Sequence, residues 1–334
     1  MSACLIVRDE AGHIGRCLES LRPLVDEVIV VDTGSTDDTT HIARGLGATV
    51  TEEPWQNDFS FHRNQAVDRA HGRWILTIDA DEELVDTDVA ETRQRLEADG
   101  LPDILLASLL LRYPDERTLS IVSPRLLRRG AGIRYVFPVH EQLEVQDAPA
   151  VLSNVKLLHH GYADVTSLER KERRNLHLAE VANDDGSPHI LHCIVRSSFS
   201  LNDWLKTATT AKRLVYGDAP LRLKQEACAL GAAASFNLRD SRGMADLVSA
   251  GIALEPDNPD IRLMAVVAAI NQYLRTLENG DSTRDQLMLR PLVFHHSAAT
   301  AREMLEVLQS SANRRQSNPG ISERNNIEGS EEKP

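Results

Sequence analysis

Short apolar runs alternate with helical stripes along the first part of the chain. Residues 3–7 (ACLIV) form a compact apolar run, read as a buried strand. Ile14, Cys17, Leu18 and Leu21 recur at i, i+3, i+4 and i+7, the stripe of an amphipathic helix that Pro23 ends. The β-branched run 27–31 (EVIVV) predicts a second strand. Ser35-Thr36-Asp37 caps a helix carrying Thr39, Ile42, Ala43 and Leu46 on one face, with Gly47 as its stop. Residues 48–51 (ATVT) predict a third strand. Asp58 caps a third helix with Phe59, Arg63, Ala66, Val67 and Ala70 roughly aligned, ending near Gly72. Residues 74–78 (WILTI), a fourth and wholly apolar strand, run straight into Asp79.

Alternation at this spacing predicts an α/β fold, a mostly parallel sheet with helices on both faces. Ligands of such sheets bind beyond the carboxyl ends of the strands. The residues expected there are Arg8 to Glu10, Asp32 to Ser35 and Asp79 to Glu83, so topology alone brings polar clusters together.

From about 104 the pattern shortens. Runs at 104–112, 119–122, 125–128 and 151–158 predict a mixed or antiparallel extension of the sheet. Thr166-Ser167-Leu168-Glu169 reads as a capping box opening a helix, and everything after it reads helical. Pro188, Pro220 and Pro256 stand near the starts of helical pairs. The stretch 223–258, with alanine-rich helices, Gly231 and Glu255-Pro256-Asp257, is similar to a tetratricopeptide repeat. From about 311 the chain is rich in Ser, Asn, Gly, Glu and Arg, the composition of a disordered tail. The expected division is an α/β domain over 1–165, a helical, tetratricopeptide-like domain over 166–310 and a tail over 311–334. Nothing is expected to precede the α/β domain.

Composition narrows the function classes. The chain has 334 residues, 42% of them hydrophobic, enough for a substantial core. A net charge of −13 argues against a nucleic-acid surface, which needs clustered Lys and Arg, but leaves room for a local basic pocket. The cysteines Cys4, Cys17, Cys193 and Cys228 form no C-x-x-C pair; Cys4 and Cys17 fall at expected core positions, so buried free thiols in a reducing compartment are read over metal or redox roles. Residues 1–7 are apolar, but Arg8, Asp9 and Glu10 follow at once, so no secretory signal is read. The apolar stretch 104–111 contains Ser108, ends at Arg112 and is far short of a membrane span. The expectation is a cytoplasmic protein, at most resting on a membrane surface.

The chemistry concentrates at Ile78-Asp79-Ala80-Asp81-Glu82-Glu83. Two carboxylates one residue apart at a strand end can share a divalent cation, Mn²⁺ or Mg²⁺, that keeps open positions for phosphate oxygens. Such a cation screens the charge growing on a leaving diphosphate. Alone, the D-x-D pattern reads as a solvated acidic loop. Its place after a buried strand, facing two other polar loops, favours a site.

Further segments carry a resemblance. Leu5-Ile6-Val7-Arg8-Asp9-Glu10, Cys17-Leu18-Glu19-Ser20-Leu21 and Val30-Val31-Asp32-Thr33-Gly34-Ser35-Thr36-Asp37 look like the opening of family 2 glycosyltransferases. Arg63-Asn64, then Ala70-His71-Gly72-Arg73-Trp74-Ile75-Leu76 and Asp79-Ala80-Asp81-Glu82, continue it. Downstream, Pro124-Arg125-Leu126-Leu127-Arg128, Val139-His140-Glu141-Gln142-Leu143 and Leu157-Leu158-His159-His160-Gly161-Tyr162 resemble motifs of a subgroup with helical repeats after the catalytic domain. The resemblance spans roughly the first 165 residues. It implies the GT-A fold, a nucleotide-diphosphate sugar donor, commonly a UDP-sugar, and inversion at the anomeric carbon. The chain departs from the usual motifs at Asp9, where Asn is common, and at Arg73, where Asp is common.

Position by position, the resemblance implies that Glu10 lines the nucleoside pocket and that Asp32 reads the base or ribose. Arg63, Asn64 and His140 face the donor. Asp79 and Asp81 form the metal and diphosphate motif, with His159 as a third metal ligand or a diphosphate contact. Inverting transfer needs a base for the acceptor proton, and Glu141 is the candidate. Four of these have a structural alternative: Asp32 as a helix-cap acid, Arg63 in a surface salt bridge, Glu141 paired with Arg125 or Arg128, His159 as a packing histidine. Peptides, glycolipids and other glycans are the expected acceptors. The helical domain is expected to dimerise, hold the acceptor or simply support the catalytic part. The competing function is a non-catalytic repeat scaffold whose transferase-like domain binds a nucleotide or glycan. A nucleotidyltransferase is disfavoured, because Arg8-Asp9-Glu10-Ala11-Gly12 is acidic where a basic triphosphate loop is needed.

Overall fold

The expected strand–helix alternation is present from the first residue. In the computed structural model, which describes residues 1–112, 118–144, 149–160, 165–182, 186–263 and 267, it runs as follows. Strand β1 (Ser2–Val7) leads to α1 (Ile14–Leu21), β2 (Glu27–Asp32), α2 (Thr39–Gly45), β3 (Thr49–Glu52), α3 (Phe59–Asp68) and β4 (Trp74–Thr77). The caps read from sequence are partly as expected. Asp58 accepts from Phe61 N–H at the start of α3, and Gly47 takes a φ of 89° just past α2. Helix α2 starts later than Ser35–Asp37 suggests, with Asp38 at its cap, because Asp37 is drawn into hydrogen bonds with Thr39 and Ala11.

The second half of the domain holds β5 (Glu82–Leu84), α4 (Val89–Glu97), β6 (Ile104–Arg112), β7 (Thr118–Arg128), β8 (Tyr135–Val136), β9 (Gln142–Leu143) and β10 (Ala150–His159). Eight strands form one sheet in the order β3-β2-β1-β4-β7-β6-β10-β5. β1 pairs parallel with β2 and β4, and β2 with β3. β7 runs antiparallel to β4 and β6, which makes the sheet mixed as expected. The sequence reading split β7 at Pro124. The strand is continuous because the register shifts between Leu105 and Leu106 opposite that point, and a bulge tolerates the missing N–H of proline.

Both faces of the central strands are buried, which explains their unbroken apolar runs. Ala3, Leu5 and Val7 pack with Ile14, Cys17, Leu18 and Leu21 of α1 and Leu96 of α4. Cys4, Ile29, Val31 and Ile75 point the other way, against Ala66 and Ala70. Truncating a fully buried side chain such as Leu5 to alanine costs about 2–5 kcal/mol, transfer and cavity terms together. All four cysteines are buried free thiols, as read from the sequence.

Beyond the sheet come α5 (Val165–Val181), α6 (Pro188–Ser200), α7 (Trp204–Tyr216), α8 (Leu221–Asn237) and α9 (Ser241–Leu254). Pro188 occupies the first turn of α6 and Pro220 the cap of α8, so both prolines do open helices. α7 touches α6, α8 and α9, and α8 also reaches α6, around a core that includes Leu214, Cys228, Leu230 and Leu247. A separate cluster joins this part to the sheet domain: Leu178, Ala179, Ile190, Cys193 and Ile194 close over Val139, with Trp55 and Phe59 alongside. The expected capping residue Thr166 already lies inside α5. The rest of the expected helical region to 310 and the tail over 311–334 lie outside the described residues. Among the described residues, no helix is long and apolar enough to cross a membrane.

Candidate active site

The strand order reverses between β1 and β4, and the loops leaving their carboxyl ends form one mouth. The loops after β1 and β2 are tied across it. Asp9, held at a φ of 54°, accepts from Thr36 N–H at 2.7 Å, while its own N–H donates to Ser35 Oγ at 2.9 Å. Glu10 N–H donates to Thr39 Oγ1 at 2.7 Å, and Ala11 N–H to Asp37 Oδ2 at 3.1 Å. Asp9, where resembling sequences commonly carry Asn, thus has a loop-closing task that needs an acceptor.

Asp32 is 2% exposed. Its Oδ1 accepts from Gly34 N–H at 3.0 Å and Ser35 N–H at 2.9 Å, and Oδ2 takes the Ser35 hydroxyl. Asp32 thus folds its own turn, while Thr36 N–H donates to Asp9. Gly34 sits in that turn with a φ of 108°, a region costly for residues with a Cβ.

The acidic pair begins two residues after β4. Asp79 Oδ1 accepts from Arg63 Nη2 at 2.8 Å, and Arg125 Nη1 stands 3.8 Å from Oδ2. Arg63 Nε donates to Glu141 Oε1 at 2.5 Å. One guanidinium thus holds two carboxylates from segments far apart in sequence. Arg63 is 12% exposed at the side chain and lies over the Tyr135 ring at 5.7 Å, so it is not the surface salt bridge weighed above. Glu141 pairs with Arg63, whereas the sequence alternatives for it were Arg125 and Arg128. Arg125 instead donates to Glu82 at 2.6 Å, and Glu82 Oε2 accepts from Asp79 N–H at 3.0 Å.

These contacts set the charges. Burial pushes the Asp79 carboxyl up, but Arg63 and Arg125 outweigh it and hold it well below the usual range. Burial lifts Glu82 to about 7 against the pull of Arg125. Glu10 is lifted to about 7, by burial first and then by Asp81, with Lys171 opposing. That coupling shows the loop after β1 facing the acidic pair, as the topology required.

Asp81 lies between two partners. His159 Nε2 is 3.8 Å from its Oδ1, and Lys171 Nζ is 3.4 Å from its Oδ2. His159 reaches this place because β10 pairs with β5, setting His159 opposite Glu82. Burial lowers its pKa, favouring the neutral, ligating form of the ring, while Asp81 and Asp79 pull the other way. His160, by contrast, is tied to Glu83 at 3.0 Å. Among the described residues, no group of three or more His, Cys, Asp and Glu stands in ligating geometry. Asp81 with His159 fits two ligands of a divalent site whose other positions stay open. Asp79, the other expected ligand, has Arg63 2.8 Å from Oδ1 and Arg125 3.8 Å from Oδ2.

Two of the residues expected to face the donor, Asn64 and His140, have the following surroundings. Asn64 exchanges two 2.9 Å hydrogen bonds with the backbone of Tyr135 and so pins β8 to α3. His140, next to Glu141, takes a φ of 48°, and its buried Nε2 has no hydrogen-bond partner. Sequence reasoning missed Tyr135 and Lys171 here, and gave Glu82 no task of its own. Glu82 stood within the acidic motif. Lys171 sits in the charged run Glu169-Arg170-Lys171-Glu172-Arg173-Arg174, which offers nothing to single it out.

Residues 2–129 match the family model described as glycosyl transferase family 2. Over 149 residues the chain is 42% identical to a TPR repeat-containing protein of Synechococcus elongatus, covering 43% of this chain and 35% of that protein. It is 29% identical over 187 residues to the SPbeta prophage-derived glycosyltransferase SunS of Bacillus subtilis, 53% of this chain and 43% of that one. Both matches span less than half of the relative's length. Among solved structures, S. aureus TarS 1-349 in complex with UDP-GlcNAc aligns over 85% of this chain and 94% of its own, at 14% identity and a TM-score of 0.46.

Proposed function

We propose that the chain, whose residues 2–129 match the family 2 glycosyl transferase model, has a GT-A fold and transfers a hexose from a nucleotide-diphosphate sugar, with UDP as the nucleotide, to a peptide, glycolipid or other glycan acceptor. The observation that carries this reading is the meeting of Glu10, Asp79, Asp81, His159 and Glu141 at one mouth beyond β1 and β4. These residues come from four separate stretches of the chain, and a shared ligand gives a reason for them to converge there.

In this reading Asp81 and His159 hold Mn²⁺ or Mg²⁺, whose chemistry is to screen the charge on the departing diphosphate. Asp79 keeps Arg63 and Arg125 in place around the donor. Glu141, oriented by Arg63, takes the acceptor proton as the anomeric carbon is attacked from the face opposite the diphosphate. In-line attack inverts that carbon. Glu10 and the loop tied by Asp9 and Thr36 form the wall of the nucleoside pocket. Trp55, Phe59 and the helical part close the acceptor side through Val139. Their role in holding an acceptor, in dimer formation and in a tetratricopeptide-like array belongs to the same proposal, as does a cytoplasmic site of action at or near a membrane surface.

The test is release of UDP from a panel of UDP-hexoses, with Mn²⁺ or with EDTA. The reading expects metal-dependent release from at least one donor. If no nucleoside diphosphate appears from any common nucleotide sugar, the scaffold reading replaces it.

A further inference from the structure

Helix α5 lies outside the residues that match the family model, yet it reaches the mouth of the site. Lys171 Nζ stands 3.4 Å from Asp81 Oδ2, and its charge is also felt at Glu10 and His159. Arg174 follows at i+3 on the same face, over the Phe59 ring at 4.9 Å, and its charge couples to Glu141 and Glu10. The two arginines around Asp79 are committed. Arg63 is buried between Asp79 and Glu141, and Arg125 between Asp79 and Glu82. Lys171 differs in kind: its side chain is 40% exposed and its four-carbon stem can re-aim a compact charge.

Resting on the donor-site reading above, we propose that Lys171 holds the cation position on Asp81 in the empty protein and turns to the donor's diphosphate when a divalent cation takes Asp81. The argument is one of charge. An ammonium and a divalent ion on one carboxylate repel each other strongly at such distances. A diphosphate oxygen beside Asp81 offers the displaced ammonium a charge-assisted bond in exchange. Lys171 then adds positive charge where the leaving group accumulates negative charge. The helical part thereby does more than support the sheet: through the cluster of Val139, Leu178 and Ile190 it positions a donor-binding residue.

The experiment is calorimetry on the full chain, titrating first Mn²⁺ alone and then UDP in the presence of Mn²⁺. Lys171→Met keeps the stem and removes the charge. Its expected result is Mn²⁺ binding tightened roughly two- to fivefold, the size of losing one half-exposed competing ion pair. UDP binding with Mn²⁺ weakens roughly tenfold, the size of one charge-assisted bond. Lys206→Met, which removes a lysine paired with Glu180 instead, leaves both affinities at the wild-type value. If either affinity of Lys171→Met stays at the wild-type value, or Mn²⁺ binds more weakly, the inference is overturned. If the wild-type chain itself binds neither Mn²⁺ nor UDP, the donor-site reading fails instead.

Discussion

Replacing Arg63 with Met tests whether charge, and not packing alone, organises the site. Arg63 serves Asp79 at 2.8 Å and Glu141 at 2.5 Å, with side-chain exposures of 12% for Arg63 and 14% for Glu141. Removing one partner of a buried ion pair costs about 3–5 kcal/mol, because a charge is left without compensation. Asp79 is 31% exposed and keeps Arg125 at 3.8 Å, so the loss falls at the lower end, about 3 kcal/mol near neutral pH. The sign of the pH dependence is fixed by linkage. In the wild type, Asp79 is held below its unfolded value of 3.8, so its contribution is present above that value and fades as pH falls below it. In Arg63→Met the Asp79 carboxyl loses its nearest cation while burial still pushes it up, and protonation relieves the penalty as pH falls toward the unfolded value of 3.8. The deficit measured by urea unfolding therefore shrinks from about 3 kcal/mol near pH 8 to about 1 kcal/mol near pH 4.5. Adding Glu141→Gln to the variant recovers most of the loss, since the pair is coupled. A deficit equal at both pH values, or unchanged by the second substitution, would show that Arg63 acts through packing.

Three other expectations follow from particular contacts. Glu141→Gln lowers sugar transfer by roughly 10²–10⁴-fold while UDP still binds with Mn²⁺; kinetics alongside calorimetry separates the two, and retained turnover would move the base elsewhere. A Cβ at Gly72 would stand 2.7 Å from Ser2 N and 2.8 Å from the Met1 carbonyl carbon, so Gly72→Ala loses about 1–3 kcal/mol in urea unfolding. A loss below about 0.5 kcal/mol would mean the first strand yields freely. Burial raises the Glu27 carboxyl, but hydrogen bonds from Ser2, His71 and Gly72 outweigh it and hold it at about 2. Its stabilisation is complete above the unfolded value of 4.5 and is lost as pH falls toward 2. Glu27→Gln should therefore cost about 1–2 kcal/mol at neutral pH, and the two melting temperatures should converge in acid.

The elements legible in the sequence were those whose own side chains decide them. The stripe Ile14, Cys17, Leu18 and Leu21 is buried in full, and the run 74–78 lies at the centre of the sheet. Helix α4 escaped notice because it buries only Thr92 and Leu96, too little for a stripe. Strand β5 reads Glu82-Glu83-Leu84 and is a strand only because β10 lies beside it. The site followed the same rule. Its acidic pair and the facing loops could be placed from strand order. The distribution of charge among Arg63, Arg125, Asp79, Glu82 and Glu141 could not, because each pairing joins segments whose spacing in the chain says nothing of their distance. Asn64 and Asp32 carried matching letters, yet their hydrogen bonds go to Tyr135 and to the Gly34–Ser35 turn.

The central claim is that Asp81 anchors a cation through which a nucleoside diphosphate binds. Calorimetric titration of UDP into the wild type and into Asp81→Ala, each with and without Mn²⁺, tests it most directly. The account predicts binding to the wild type that depends on Mn²⁺, and loss of that dependence in Asp81→Ala with an unchanged melting temperature. Equal, Mn²⁺-dependent binding by both proteins would contradict it.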